Sequence, residues 1–191
     1  MIVIFGGAFN PPTIAHYEVA KHILRLPEVS SLLFVPVGDQ YEKAGLIPAF
    51  HRVKMLEIMI RGLPNASISK VEVESERELK SVETLERLQK IYPDSELTFL
   101  MGADNLYGLV DWHDCERLVK EFKMMILNRG AFDVHAFIKD NFELEMDHFI
   151  IIDDFSKINV SSSEYRADLT RTEILLPDVE TYIRENGLYR D

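Results

Sequence analysis

The chain of 191 residues carries a single cysteine, Cys115, so it has no disulfide framework, and no Cys/His spacing fits a zinc site. Basic residues are also scarce: 21 Lys and Arg stand against 32 Asp and Glu, a formal net charge of −11. That balance argues against a general nucleic-acid binder, which needs a broad basic surface. A small phosphorylated ligand is still admissible, because a few placed cations and backbone N–H groups can hold phosphates inside an acidic shell. No apolar run approaches the ~20 residues that span a bilayer. No basic stretch followed by a cleavable apolar segment opens the chain. The expectation is a cytoplasmic protein with neither membrane nor nucleic acid as partner. In that compartment the sequons at Asn65 and Asn159 have no bearing.

What is present is an ordinary globular composition, 47% hydrophobic and 28% charged, enough for one domain over 1–191. Residues 1–5 form a continuous apolar run, the pattern of a strand covered on both faces. Further strands are expected over 32–37, 66–73, 97–101, 124–127 and 149–152. Helical patterns run over 13–26, 50–62, 81–91, 114–122, 134–139 and 177–186, with Ser81 as an N-cap and Gly187 as a stop. Cys115 falls on one of these helices, where packing is its expected role. The alternation predicts an α/β, doubly wound, Rossmann-like parallel sheet with helices on both faces. Ligands then bind at the carboxyl ends of the strands, in the loops after Phe5, Val37, Met101 and Ile152.

The first of those loops is Gly6-Gly7-Ala8-Phe9-Asn10-Pro11-Pro12-Thr13-Ile14-Ala15-His16. It is neither a P-loop nor a dinucleotide fingerprint. The glycine pair permits close approach of backbone to a ligand. Thr13 suits an N-cap and puts His16 at N3, so a hydroxyl and an imidazole face the same mouth, where both could donate to phosphate oxygens. Read without further context, His16 fits a partly exposed helix histidine better than a functional one.

This loop resembles the signature Gly-Gly-x-Phe-x-Pro-x-[His/Thr]-x-Gly-His of the adenylyltransferases of the nucleotidylyltransferase superfamily. A second segment, Val160-Ser161-Ser162-Ser163-Glu164-Tyr165-Arg166, is similar to that superfamily's Ile-Ser-Ser-Thr-x-Ile-Arg. Val35-Pro36-Val37-Gly38-Asp39 with Lys43 and Arg52, Ser81-Val82-Glu83-Thr84-Leu85, and Gly102-Ala103-Asp104 with Trp112 narrow the resemblance to nicotinate-nucleotide adenylyltransferase. The closing Tyr182-Ile183-Arg184-Glu185-Asn186-Gly187-Leu188-Tyr189 looks like that family's last helix, so the match runs through the whole chain, with a helical segment over about 160–191 carrying the second signature. Thr13 and Ala15 stand where the family usually has His and Gly, and 39–48 lacks its Pro-Pro-His-Lys.

The resemblance implies transfer of the adenylyl group of ATP to nicotinate mononucleotide, giving deamido-NAD and pyrophosphate. It implies His16, Thr13, Arg166 and Lys43 as catalytic residues. Gly6, Gly7, Phe9, Gly102, Asp104, Ser162 and Ser163 would bind ATP, and Ala8, Thr84 and Trp112 the mononucleotide. Magnesium would arrive on the ATP phosphates, with no dedicated protein ligands. A homo-oligomer stays open. The competing readings are the same reaction on nicotinamide mononucleotide or phosphopantetheine, and an ATP-binding regulatory protein without turnover. Ala15 motivates the last of these.

Overall fold

The computed structural model describes residues 1–128, 133–155, 158 and 160–190; Asn159 lies outside the described residues. In chain order the first half holds β1 (Ile2–Gly7), α1 (Ile14–Ile23), β2 (Ser31–Pro36), α2 (Ala49–Met59), β3 (Ala66–Ile68) and α3 (Ser81–Ile91). The second half holds β4 (Leu97–Gly102), α4 (Ala103–Leu106), α5 (Cys115–Glu121), β5 (Lys123–Leu127), α6 (Val134–Asn141), β6 (Phe149–Ile152), α7 (Ser162–Ala167) and α8 (Pro177–Glu185). The strands form one sheet in the order β3-β2-β1-β4-β5-β6, the order of a Rossmann-like fold. β1 pairs β4, β4 pairs β5, β5 pairs β6 and β2 pairs β3, all parallel. Strand order reverses between β1 and β4, so the carboxyl ends of those two strands, at Gly6 and Gly102, are where such sheets place their ligands.

The chain divides into two compact units. One comprises Met1–Gly6 and Leu79–Lys157. Its strands are apolar without alternation because both faces are covered: Met124 to Leu127 and Leu97 to Met101 are all buried. Val82, Leu85 and Leu88 form the buried stripe of α3, which packs on α5 through an element that buries Cys115, Leu118 and Val119. Burial pushes the Cys115 thiol up, as befits a packing residue.

The other unit comprises Gly7–Glu78 and Ile158–Asp191. Here α2 packs on β2 and on α8, burying Val53, Met55, Leu56 and Met59. Each such side chain removed from water contributes about 1.5–3 kcal/mol. Pro177 opens α8, and a Schellman motif closes it: Leu188 N–H bonds the Ile183 carbonyl, Gly187 N–H bonds that of Arg184, and Gly187 has φ +60.

Several boundaries differ from those expected, most by one to three residues, and the following have a local cause. The strand expected over 66–73 stops at Ile68. Its last ladder bond is Ser69 N–H to Phe34, after which the Ser69 hydroxyl accepts from Val71 N–H and turns the chain. The first helix ends at Ile23 because its last bonds tighten to three-residue spacing before Pro27. At α3 the N-cap is Lys80 rather than Ser81: the Glu83 carboxylate takes the Lys80 N–H, which moves the helix start back by one residue. The signature helix, which the sequence suggests over 164–168 after Ser162 and Ser163, begins at Ser162, because the Ser161 hydroxyl caps it by accepting Glu164 N–H. Among the described residues, no helix is long and apolar enough to cross a membrane.

Candidate active site

The loop after β1 is built on side chains that turn inward, with Phe9 to Thr13 all buried. A Cβ at Gly7 would lie 3.2 Å from the Phe9 ring, a tight contact that glycine avoids as the ring folds back beneath the chain. Phe9 takes a left-handed φ of 47, is 2% exposed, and sets its ring edge-on to Phe34 at 5.5 Å and to His16 at 5.2 Å. Asn10, 1% exposed, precedes a cis bond to Pro11. Its amide nitrogen donates to the Gly45 carbonyl at 2.7 Å, and its oxygen accepts from the Tyr189 hydroxyl at 2.9 Å and from Ile47 N–H at 3.4 Å.

Thr13 caps α1 with extended backbone, and His16 is the N3 residue, as its spacing predicts. The imidazole performs the task that a Glu or Gln performs in an ordinary capping box. Its Nδ1 accepts the Thr13 backbone N–H at 2.9 Å. The Thr13 hydroxyl reaches the same nitrogen at 2.8 Å. A backbone N–H can only donate, so Nδ1 is an acceptor, the hydroxyl is a second donor to it, and the ring hydrogen resides on Nε2. Thr13 is 1% exposed and its hydrogen is committed to His16, so it acts here on the orientation of the ring. The first turn of α1 contains no carboxylate to repel an anion.

The second signature is fastened to the same loop. Arg166 donates from one terminal nitrogen to the Asn10 carbonyl at 2.7 Å and from the other to the Ser163 hydroxyl oxygen at 3.1 Å. The Ser162 hydroxyl donates to the Pro11 carbonyl at 2.8 Å. Ser161, the cap, accepts Glu164 N–H at 3.2 Å. Ser162 is thus a tie between two segments, while Ser163 is exposed and keeps its hydroxyl hydrogen for another acceptor.

Residues 38–48 are held at two posts. Arg52, fully buried, donates to the carbonyls of Ile47 (2.9 Å) and Ala8 (3.1 Å) and to the Asp39 carboxylate (3.3 Å). Burial lowers its pKa, opposed by the charge and hydrogen bond of Asp39. Asp39 also caps α2 by accepting Ala49 N–H at 2.6 Å. The second post is Asn10. Lys43 stands exposed between the posts, in a turn closed by Leu46 N–H on its carbonyl around Gly45 at φ +68. A Cβ at Gly38 would meet the Glu72 carbonyl oxygen at 2.5 Å, so that position admits only glycine.

In the other unit, Gly6 ends its β1 segment with the Phe99 ring 3.4 Å from where a Cβ would sit. Gly102 ends β4 and caps α4, whose first turn carries the exposed Asp104. Trp112 is half-buried with its ring edge-on to Phe99 at 6.1 Å, so one part of the indole packs and the rest meets solvent. Thr84 is 3% exposed on α3.

Against known proteins, the cytidylyltransferase-like family matches residues 4–168. A protein of Acholeplasma laidlawii named probable nicotinate-nucleotide adenylyltransferase is 34% identical over 100% of this chain and 98% of its own. The chain belongs to the nicotinate-nucleotide adenylyltransferase family. The Bacillus subtilis member is 29% identical over 98% of this chain and 97% of its own. Among solved structures, Plasmodium falciparum nicotinic acid mononucleotide adenylyltransferase superposes with TM-score 0.82 at 24% identity, covering 98% of this chain and 96% of that one. At that identity the likeness speaks for the fold. A further structure of the same Plasmodium enzyme, complexed with NaAD, has TM-score 0.81.

Of the residues singled out from sequence, His16, Thr13, Ser162, Ser163, Arg166, Phe9 and Ala8 gather around one loop. Three further anchors carried no assigned role: Arg52, Asn10 and Tyr189. A lone arginine four residues after a proline gives no hint that it is buried, and Asn10 reads as a turn residue. Only the polar side chain flanked by aromatic and proline residues in the first loop could have pointed to it.

Proposed function

We propose that this chain transfers the adenylyl group of ATP to nicotinate mononucleotide, releasing pyrophosphate and forming deamido-NAD. The observation that carries the mechanism is the His16 ring, held by Thr13 so that the Nε2 hydrogen is its one donor. A phosphate monoester is already ionised at neutral pH, so its oxygen attacks the α-phosphorus of ATP without a general base. The need is for in-line placement and for donors to the charge that spreads over the transferring oxygens. His16 supplies such a donor to the α-phosphate. The Arg166 guanidinium and the Ser163 hydroxyl supply charge and a hydrogen bond for the departing pyrophosphate, and Lys43 adds a second cation from its turn.

Gly102 and Asp104 take the ATP ribose, Trp112 stacks on the pyridine ring, and Thr84 serves its carboxylate; the family resemblance supports these roles. No cluster of three His, Cys, Asp or Glu side chains able to hold a metal exists among the described residues. Magnesium enters as part of the substrate, on the phosphate oxygens, where it offsets their charge. The chain works as a single cytoplasmic catalytic domain.

The test is pyrophosphate release from ATP and magnesium with nicotinate mononucleotide, nicotinamide mononucleotide or phosphopantetheine in parallel, with His16→Ala beside the native protein. Release with the nicotinate substrate alone, lost on substitution, is the expected result. ATP binding without release from any of the three would overturn the enzymatic reading in favour of a regulatory one.

A further inference from the structure

Tyr189 sits beyond the last helix, past the Schellman stop, in a left-handed conformation with φ +64 that a tyrosine adopts only under constraint. Its ring packs edge-on against Tyr165 at 6.0 Å, and its hydroxyl donates to Asn10 Oδ1 at 2.9 Å. Burial pushes the phenol well up, against the pull of Arg166 and Arg52, so the group keeps its hydrogen as a donor. Asn10 is nearly solvent-free and cannot turn its amide: the nitrogen is committed to Gly45 and the oxygen to Tyr189 and Ile47. The amide therefore transmits position. On one side it feels Tyr189; on the other it grips the turn that opens at Lys43 and closes at Leu46.

We propose that Tyr189 is a positioning residue for the adenylyl transfer, fixing the Lys43 turn through the Asn10 side chain. The inference rests on the reaction proposed above for its kinetic part, and on geometry alone for its structural part. The Tyr189 hydroxyl is the shorter of the two bonds to Asn10 Oδ1, and Ile47 N–H at 3.4 Å is a weak substitute. Without the hydroxyl the Gly45 carbonyl is gripped by a looser amide. The exposed residues between Asp39 and Gly45 then sample more conformations before substrate arrives.

The experiment uses Tyr189→Phe in the full chain, which removes one oxygen and keeps the ring. Three quantities are read: tryptic cleavage after Lys43 without ligand, and KM and kcat for ATP. Loss of one such bond, about 1 kcal/mol, corresponds to about fivefold. Cleavage after Lys43 should rise about fivefold and KM for ATP by a similar factor, with kcat held within about twofold because the bound state restores the turn.

Tyr182→Phe is the comparison, since its hydroxyl meets His51 from α8 and touches neither Asn10 nor the turn. It should leave cleavage at the native rate. Placed on Asn10→Ser, Tyr189→Phe should add nothing further to either quantity. Native cleavage and KM in Tyr189→Phe would overturn the inference, as would equal acceleration by Tyr182→Phe or a full additive effect on Asn10→Ser. If the native protein releases no pyrophosphate, the proposed reaction fails, and the cleavage comparison alone still decides whether Tyr189 holds the turn.

Discussion

The Nδ1 atom of His16 lies 2.9 Å from the backbone nitrogen of Thr13, so the helix start and the tautomer of the ring are fixed by one bond. Thr13 adds its hydroxyl to the same nitrogen. Helix capping and orientation of the imidazole are thereby one arrangement, and a change at either residue disturbs both.

His16→Ala should lower kcat for pyrophosphate release by roughly 10²–10³, the effect of deleting one transition-state donor. Thr13→Val keeps the backbone N–H and removes only the hydroxyl. Its loss should be far smaller, within about tenfold, when measured by the same assay at saturating substrates. Equal losses in the two variants would mean that the Thr13 hydroxyl meets substrate itself.

Arg52 is a structural cation inside the unit. Arg52→Met fills much of the same volume but leaves the Ala8 and Ile47 carbonyls without their donor and Asp39 without its charge partner. Unfolding free energy should fall by about 2–4 kcal/mol in urea titrations. A variant as stable as the native chain would show that water replaces the guanidinium at no cost.

The strands were legible because continuous apolar runs such as Phe149–Ile152 have no competing reading, and β6 occupies those residues. The first loop was legible through its strand–turn–helix position and two separated signatures. Less legible was the direction of each hydroxyl. Thr13 and Ser162 read equally as phosphate donors, and only the fold shows that one turns to His16 and the other to Pro11. The end of β3 escaped because Ser69 diverts the backbone through a local side-chain bond that a β-rich stretch conceals. Arg52 and Tyr189 escaped because their partners lie 44 and 179 residues away, at Ala8 and Asn10.

The cap of α7 should make that helix acid-sensitive. Ser161 hydrogen bonds hold the Glu164 carboxyl below its usual range, helped by Arg171. A carboxyl lowered on folding stabilises the fold above its unfolded pKa, and the benefit is lost as pH falls through the lowered folded value. Thermal midpoints of the native chain should therefore drop as pH falls through the acid range. Ser161→Ala should cost about 1 kcal/mol at neutral pH and flatten that drop. Parallel midpoint-against-pH curves for the two proteins would count against the Ser161–Glu164 hydrogen bonds as the cause.

Chelation separates a resident metal from one carried by substrate. An ion held by the folded protein stabilises it by about 2.7 kcal/mol when present at a hundredfold over its dissociation constant. Under the proposed function magnesium arrives on ATP, with phosphate oxygens and water as its partners. Excess EDTA should stop pyrophosphate release completely while leaving the urea midpoint of the ligand-free chain unmoved, and added magnesium should restore the rate without preincubation. A midpoint that fell with EDTA would reveal protein ligands for the ion and move it from the substrate to the fold.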